Sequence, residues 1–190
     1  MDDIIFRATS EHLCEEFSSL MGKEFEMSMM GELAFFLGLQ IKKSSNGISI
    51  CQEKYIKELL KKFNMFDSKP IDTPMGTNSK LVVEESDPLV NQTMYRRIIG
   101  SLLYLTASRP DIVYSVGMCT RFQACTRDSH LKAAKYILRY LKKTGDLVIF
   151  YPASDTFYLV GFANADFAGY QVDRKSTSGM THFLRSSLIS

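Results

Sequence analysis

Apolar side chains recur at helical spacing in five stretches of this chain. Leu13, Phe17, Leu20 and Met21 form the first, with Ser10 placed as an N-cap and Gly22 as a stop. Tyr55, Ile56, Leu59, Leu60 and Phe63 form the second, and Tyr95, Ile98, Ile99, Leu102 and Leu103 the third. The fourth carries Ile112, Val113, Val116 and Cys119 and opens at Pro110, a residue suited to the first helical position. The fifth runs from Ser129 to Thr144 and stops at Gly145.

Between and after these stretches the pattern changes. Leu33 to Lys42 is rich in aromatic and branched residues, Asn46-Gly47 is a turn signal, and Ile48 and Ile50 alternate with serines, which predicts a hairpin. Leu147 to Tyr151, Phe157 to Asn164 and Met180 to Leu184 read as strands. Residues 64 to 92 hold Pro70, Pro74 and Pro88 with the acids Glu84, Glu85 and Asp87, and read as an irregular connection with little core. The predicted fold class is α+β.

Composition narrows the picture further. The chain has 190 residues, 45% of them hydrophobic and 23% charged, enough to bury a core of ordinary globular kind. The net charge of +2 creates no global field, so any basic footprint must be local. Cys14, Cys51, Cys119 and Cys125 have no metal-binding spacing, and His12, His130 and His182 stand apart from them. Reduced thiols in an intracellular compartment are expected, cytoplasm and nucleus not being distinguished. No apolar run is long enough to span a bilayer, so no membrane is expected as a partner.

Two features carry candidate chemistry on their own. Lys132, Lys135, Arg139 and Lys142 are spaced to share one face of the fifth helix, with Lys143, Tyr136 and Tyr140 close by. Such a stripe suits phosphates, although a solvated face opposite Leu131, Ala134, Leu138 and Leu141 has the same pattern. The weaker stripe Lys54, Lys57 and Lys61 is diluted by Glu53 and Glu58. Asp2 and Asp3 ahead of an apolar segment have the oxygen ligands that magnesium takes, although an acidic pair at a terminus is commonly just solvated. His130 has no partner at motif spacing and reads as structural.

Met1-Asp2-Asp3-Ile4-Ile5-Phe6 resembles the Tyr-x-Asp-Asp box of reverse transcriptases and the strand after it. Gly31 to Ile41 is similar to the hairpin that follows the box in copia-type retrotransposon Pol polyproteins. Gln52-Glu53-Lys54-Tyr55-Ile56, Thr73-Pro74-Met75, Tyr95 to Leu105, Arg109-Pro110-Asp111-Ile112, Leu138 to Lys142 and Arg174 to Gly179 continue the match in the family's order. The resemblance covers nearly the whole chain.

What the resemblance implies is a division into three parts. Residues 1–51 would be the end of the reverse-transcriptase palm with its hairpin, 52–146 the thumb and connection helices, and 147–190 the start of a truncated ribonuclease H-like sheet. Asp2 and Asp3 would be catalytic carboxylates holding Mg2+, and the partner an RNA/DNA primer-template, with no small-molecule cofactor. The family's polymerase site also uses a third aspartate and the fingers, and its ribonuclease H site opens with an acid where this chain has Asn164. Asp166, two positions on, remains as a possible metal ligand. The expectation is a fragment of an RNA-directed DNA polymerase, inactive alone and without a functionally bound metal. The alternative is a non-enzymatic nucleic-acid-binding remnant working through the basic helix.

Overall fold

In the computed structural model the described residues are 4–76, 81–82, 86–153, 158–168, 174 and 176–189. They form a mixed α/β protein with five α-helices, one 3-10 turn and two antiparallel sheets. The chain divides into two compact units, Met1–Ala34 and Phe35–Ser190.

The first unit contains α1 (Glu11–Glu24). Phe6 and Phe17 pack with ring centroids 4.7 Å apart. The helix does not stop at Gly22. It continues to Glu24 and closes with the Phe25 amide donating to the Met21 carbonyl. A glycine inside a helix costs about 1 kcal/mol relative to alanine, which lowers stability without ending the helix.

The second unit opens with three short strands, β1 (Phe35–Phe36), β2 (Leu39–Ser44) and β3 (Gly47–Cys51). The single strand expected over 33–42 is broken. Phe36 pairs with Leu39, so the chain reverses at Leu37 and Gly38, whose φ angles of 45° and 77° are both positive. Gly38 is needed for space as well, because a Cβ there would stand 2.6 Å from the Tyr104 hydroxyl. The second reversal is offset from the expected turn by one residue. Ser44 pairs with Gly47, leaving Ser45 and Asn46 as the loop.

Four helices follow: α2 (Glu53–Lys62), α3 (Gln92–Leu105), α4 (Val113–Thr120) and α5 (Asp128–Lys143), with the 3-10 turn Pro110–Ile112 leading into α4. Each apolar stripe read from the sequence turns inward. Ile56, Leu59, Leu60, Tyr95, Ile98, Ile99, Leu102, Ile112, Val116, Leu138 and Leu141 are all buried in one core. Asn91 caps α3 by accepting from the Met94 amide at 3.0 Å. α2 ends in a Schellman arrangement. Asn64 is at φ 54°, its amide donates to Lys61 and the Met65 amide donates to Leu60.

The irregular connection contributes more core than its composition suggested. Met65 and Leu81 are buried, and Ile71, Met75 and Val90 pack against the same cluster. Its far end is fastened to the start of α5: Leu89 bridges Arg127, and the Asp128 amide donates to the Pro88 carbonyl.

After α5, β4 (Ile149–Pro152) does not join the strands that follow it. It pairs antiparallel with β3, completing the sheet β1-β2-β3-β4. α2 leaves β3 while α5 leads into β4, so packing α2 on α5 brings the two strands side by side. The remaining strands β5 (Leu159–Asp166), β6 (Thr177–Leu184) and β7 (Ser187–Leu188) form the second sheet. Tyr151 Oη donates to the Leu188 carbonyl at 3.1 Å and Ser187 Oγ to the Phe150 carbonyl at 3.2 Å, which ties that sheet to β4.

Gly47 is the tightest point of the first sheet. It sits at φ 147°, is buried, and a Cβ there would lie 2.2 Å from the Tyr151 carbonyl oxygen. We expect Gly47→Ala to destabilise the protein by more than about 2 kcal/mol, since backbone strain and displacement of β4 add. Urea unfolding compared with wild type measures this, and an unchanged midpoint would show that β4 yields without cost.

Candidate nucleic-acid interface

The interface is built on α5, and α5 is held at both ends. At its start, Asp87 reaches across from the connection and accepts from the Ser129 amide at 2.9 Å. Hydrogen bonds from Ser129 keep the Asp87 carboxyl below its usual range. His130 is fully buried and stacked on Phe122 with centroids 3.9 Å apart. Its Nδ1 accepts from the Arg127 amide at 3.1 Å, and its Nε2 lies 3.0 Å from the Val82 carbonyl, which can only accept. His130 is therefore a structural capping residue, as its sequence context indicated.

At the other end of α5 a buried cation closes the helix. Arg109 is 2% exposed and makes four hydrogen bonds. Its Nε and one Nη grip both oxygens of Asp111 at 2.9 and 2.6 Å. Its guanidinium also donates to the carbonyl and hydroxyl oxygens of Thr144, each at 2.7 Å. Thr144 is the C-cap of α5, so a positive charge sits where the helix dipole is negative. Tyr140 Oη donates to Asp111 at 2.7 Å. Burial works against ionisation of Asp111, but the hydrogen bonds from Arg109 and Tyr140 outweigh it and hold the carboxyl below its usual range. Beside this clamp Ser108 Oγ donates to Gln52 Oε1 at 2.7 Å, linking it to the head of α2, whose Lys54 amide donates to Gln40 Oε1 at 2.9 Å.

Between these anchors lies the basic face. Lys132 pairs with Asp128 at 2.7 Å, one turn before it. Arg139 Nε donates to the Lys69 carbonyl at 2.6 Å and Lys142 Nζ to the Ser68 carbonyl at 2.8 Å. Lys143 pairs with Asp72. Lys135 has no partner among the described residues. The stripe thus straps residues 68–72 onto the helix. Asp128 was overlooked because the helix start was placed at Ser129, and the strap because pairing over some 70 residues leaves no local pattern. On α2, Lys57 pairs with Glu53, and Lys61 lies over the Phe66 ring at 5.8 Å.

The charge of the chain is unevenly placed. In Met1–Ala34 acids outnumber Lys and Arg 8 to 2, whereas in Phe35–Ser190 Lys and Arg outnumber acids 21 to 13. The net charge of +2 conceals this division. The unit that carries α5 therefore has a positive field of its own.

The acidic candidates are not assembled by the described residues. Asp2 and Asp3 lie outside them. Asn164 and Asp166 stand two apart on β5, on the same face and exposed, opposite Gly179 and Thr177. One carboxylate and one amide supply a single negative charge, too little for a pair of divalent ions. Among the described residues no group of three His, Cys, Asp or Glu could hold a metal. Cys119 is buried, which pushes its thiol up to about 12 and leaves it inert. No helix among the described residues is long and apolar enough to cross a membrane.

Comparison with known proteins fits this layout. Residues 1–77 match the family described as reverse transcriptase (RNA-dependent DNA polymerase). The Pol polyprotein of transposon RE1 of Arabidopsis thaliana is 36% identical over 184 residues, covering 97% of this chain and 13% of the relative. That of the tobacco transposon TNT 1-94 is 35% identical over 190 residues, covering 94% and 14%. An uncharacterised mitochondrial protein of Arabidopsis thaliana is 32% identical over 194 residues, covering all of this chain and 79% of the relative. No solved structure matches. The chain belongs to the reverse transcriptase family, and within it to the copia-type retrotransposon Pol polyproteins. It spans 13–14% of the length of those polyproteins.

The clamp generates a prediction about stability. Replacing Arg109 by Met removes one partner of a buried ion pair and strips the end of α5, and should cost about 3 kcal/mol in urea unfolding. Arg109→Lys should restore little of it, because an ammonium cannot grip two carboxylate oxygens and Thr144 together. A loss under about 1 kcal/mol for Arg109→Met would mean that water replaces the guanidinium.

Asp111 adds a pH dependence. Its carboxyl is held low in the folded state, so the stability it contributes is present above about pH 4 and disappears as pH falls through the folded value. Wild type should lose stability in that acid range more steeply than Asp111→Asn, which starts lower at neutral pH. Parallel acid profiles for the two proteins would remove Asp111 from the account.

Proposed function

We propose that this chain serves a copia-type RNA-directed DNA polymerase as a holder of the primer-template backbone. The observation that carries this reading is the basic face of α5, fixed at both ends and set in a unit with a large excess of Lys and Arg. Phosphate contacts of this kind position a duplex without reading its sequence. In the same reading residues 1–51 end the palm, 52–146 form thumb and connection, and 147–190 begin the ribonuclease H-like sheet. The antiparallel β5–β6 pair and the Asn164–Asp166 spacing support the last assignment.

Reverse transcriptases use magnesium. Asp2 and Asp3 would contribute two of the carboxylates that hold it, and two carboxylates leave the charge of two such ions poorly balanced. Turnover would then require ligands from elsewhere in a polymerase, and positioning that the helices alone do not supply. We therefore expect no primer extension by the isolated chain with magnesium or manganese. Extension above a no-protein control that disappears in Asp3→Asn would reverse this expectation.

A second reading is a stand-alone nucleic-acid-binding protein, favoured by the similarity over its whole length to a short mitochondrial protein. Both readings require the α5 face to contact phosphates. Lys132 and Lys135 test this most cleanly, because Arg139 and Lys142 also hold residues 68–72. Lys132→Gln with Lys135→Gln should reduce the slope of log affinity against log salt for a duplex by about 1.8, at about 0.9 per lost phosphate contact. An unchanged slope in the folded variant would mean that the face is only solvated.

A further inference from the structure

We propose that the free edge of β5 pairs antiparallel with β5 of a second copy of this chain, about a two-fold axis. β5 is the end strand of its sheet, with β6 on one side and no strand among the described residues on the other. Its outer edge therefore presents unpaired backbone N–H and C=O groups over eight residues. Natural edges of this length are blunted by lysines, prolines or bulges. Leu159–Asp166 has no lysine or proline, and it pairs with β6 residue by residue without a bulge.

The faces of this sheet are also open. Leu159 is 65% exposed, Phe162 62% and, across from Ala163 on β6, Met180 69%. A partner must therefore offer an extended backbone of similar length with apolar side chains beside it. β5 itself meets that description.

Charge selects the direction. The one charge on β5 is Asp166, at its end. At its start the Arg185 amide donates to the Tyr158 carbonyl at 2.8 Å, which fixes an exposed arginine there. An antiparallel two-fold pairing brings the Asp166 of each copy beside the arginine end of the other, and symmetry repeats the attraction. Across two strand spacings the charges are roughly 10 Å apart, about one Debye length, so the attraction persists at moderate salt. A parallel pairing would set Asp166 against Asp166.

The test is sedimentation equilibrium of the whole chain over a wide concentration range, with hydrogen exchange read peptide by peptide. We expect the mass to rise from 21.6 kDa towards twice that value, with amide protection over residues 159–166 growing in step. Asp166→Lys should weaken association about tenfold at low salt, two surface charge pairs being lost together. Adding Arg185→Asp should restore it. Ala163→Lys, a charge on the middle of the edge strand, should leave a folded monomer by circular dichroism. A monomer at every concentration would overturn the proposal. So would a dimer whose β5 amides stay unprotected, or one indifferent to Asp166→Lys and to Ala163→Lys. Capture of an extended segment of another protein in place of a second copy would also overturn it.

Discussion

A buried guanidinium sets the terms for the helical half of this protein. Arg109 has five donors and no acceptor, so burying it obliges the surroundings to supply oxygens in a fixed geometry. They come from Asp111, two residues on, and from Thr144, at the far end of α5. The joint between α3 and α4 is thereby locked to the end of α5. Gln52 bonds to Ser108 next door, so the head of α2 enters the same arrangement. Two helices fixed at this point continue into β3 on one side and β4 on the other. The four-stranded sheet thus inherits its closure from a polar cluster as much as from its own ladder.

The same logic separates two kinds of basic residue on α5. Lys132 and Lys143 face carboxylates, and their charge is largely cancelled at short range. Arg139 and Lys142 donate to backbone carbonyls, which accept a hydrogen bond and leave the positive charge in place. Holding residues 68–72 and attracting phosphate are therefore compatible for these two. Fixing a long cationic side chain also lowers the entropy lost when a phosphate arrives. The strap is consistent with a positively charged surface whose side chains are already set in place.

The helices were legible because each buries one stripe, and a stripe is written locally as a period. Pro110 and the hairpin were legible for a similar reason, since turn and helix-start chemistry involves neighbours. Features made by distant partners were not. The reversal at Leu37 and Gly38 was hidden because an apolar run reads the same whether it is one strand or two. β4 was grouped with the strands after it because the sequence shows a strand without its partner. Asp87 looked like one member of an acidic patch and is instead the cap of a helix 42 residues further on. Arg109 was noted only as part of a motif, since arginine is rarely buried and nothing local reveals that Thr144 waits for it.

The blocks that carry the resemblance explain why membership is easier to read than activity. Gly38 makes a reversal that a side chain would obstruct, and Gln40 bonds to the first turn of α2. Gln52 meets Ser108, while Arg109, Asp111 and Tyr140 form the clamp. Most of these positions are joints, where one element is fastened to another by a specific polar contact. Joints constrain residue identity more tightly than a core does, because a core accepts many apolar combinations and a bidentate pair accepts few. A sequence can therefore retain the family's joints, and so its fold, independently of whether its carboxylates are ever assembled around a metal. What the shared blocks transmit most directly in this chain is the framework on which the chemistry would be mounted.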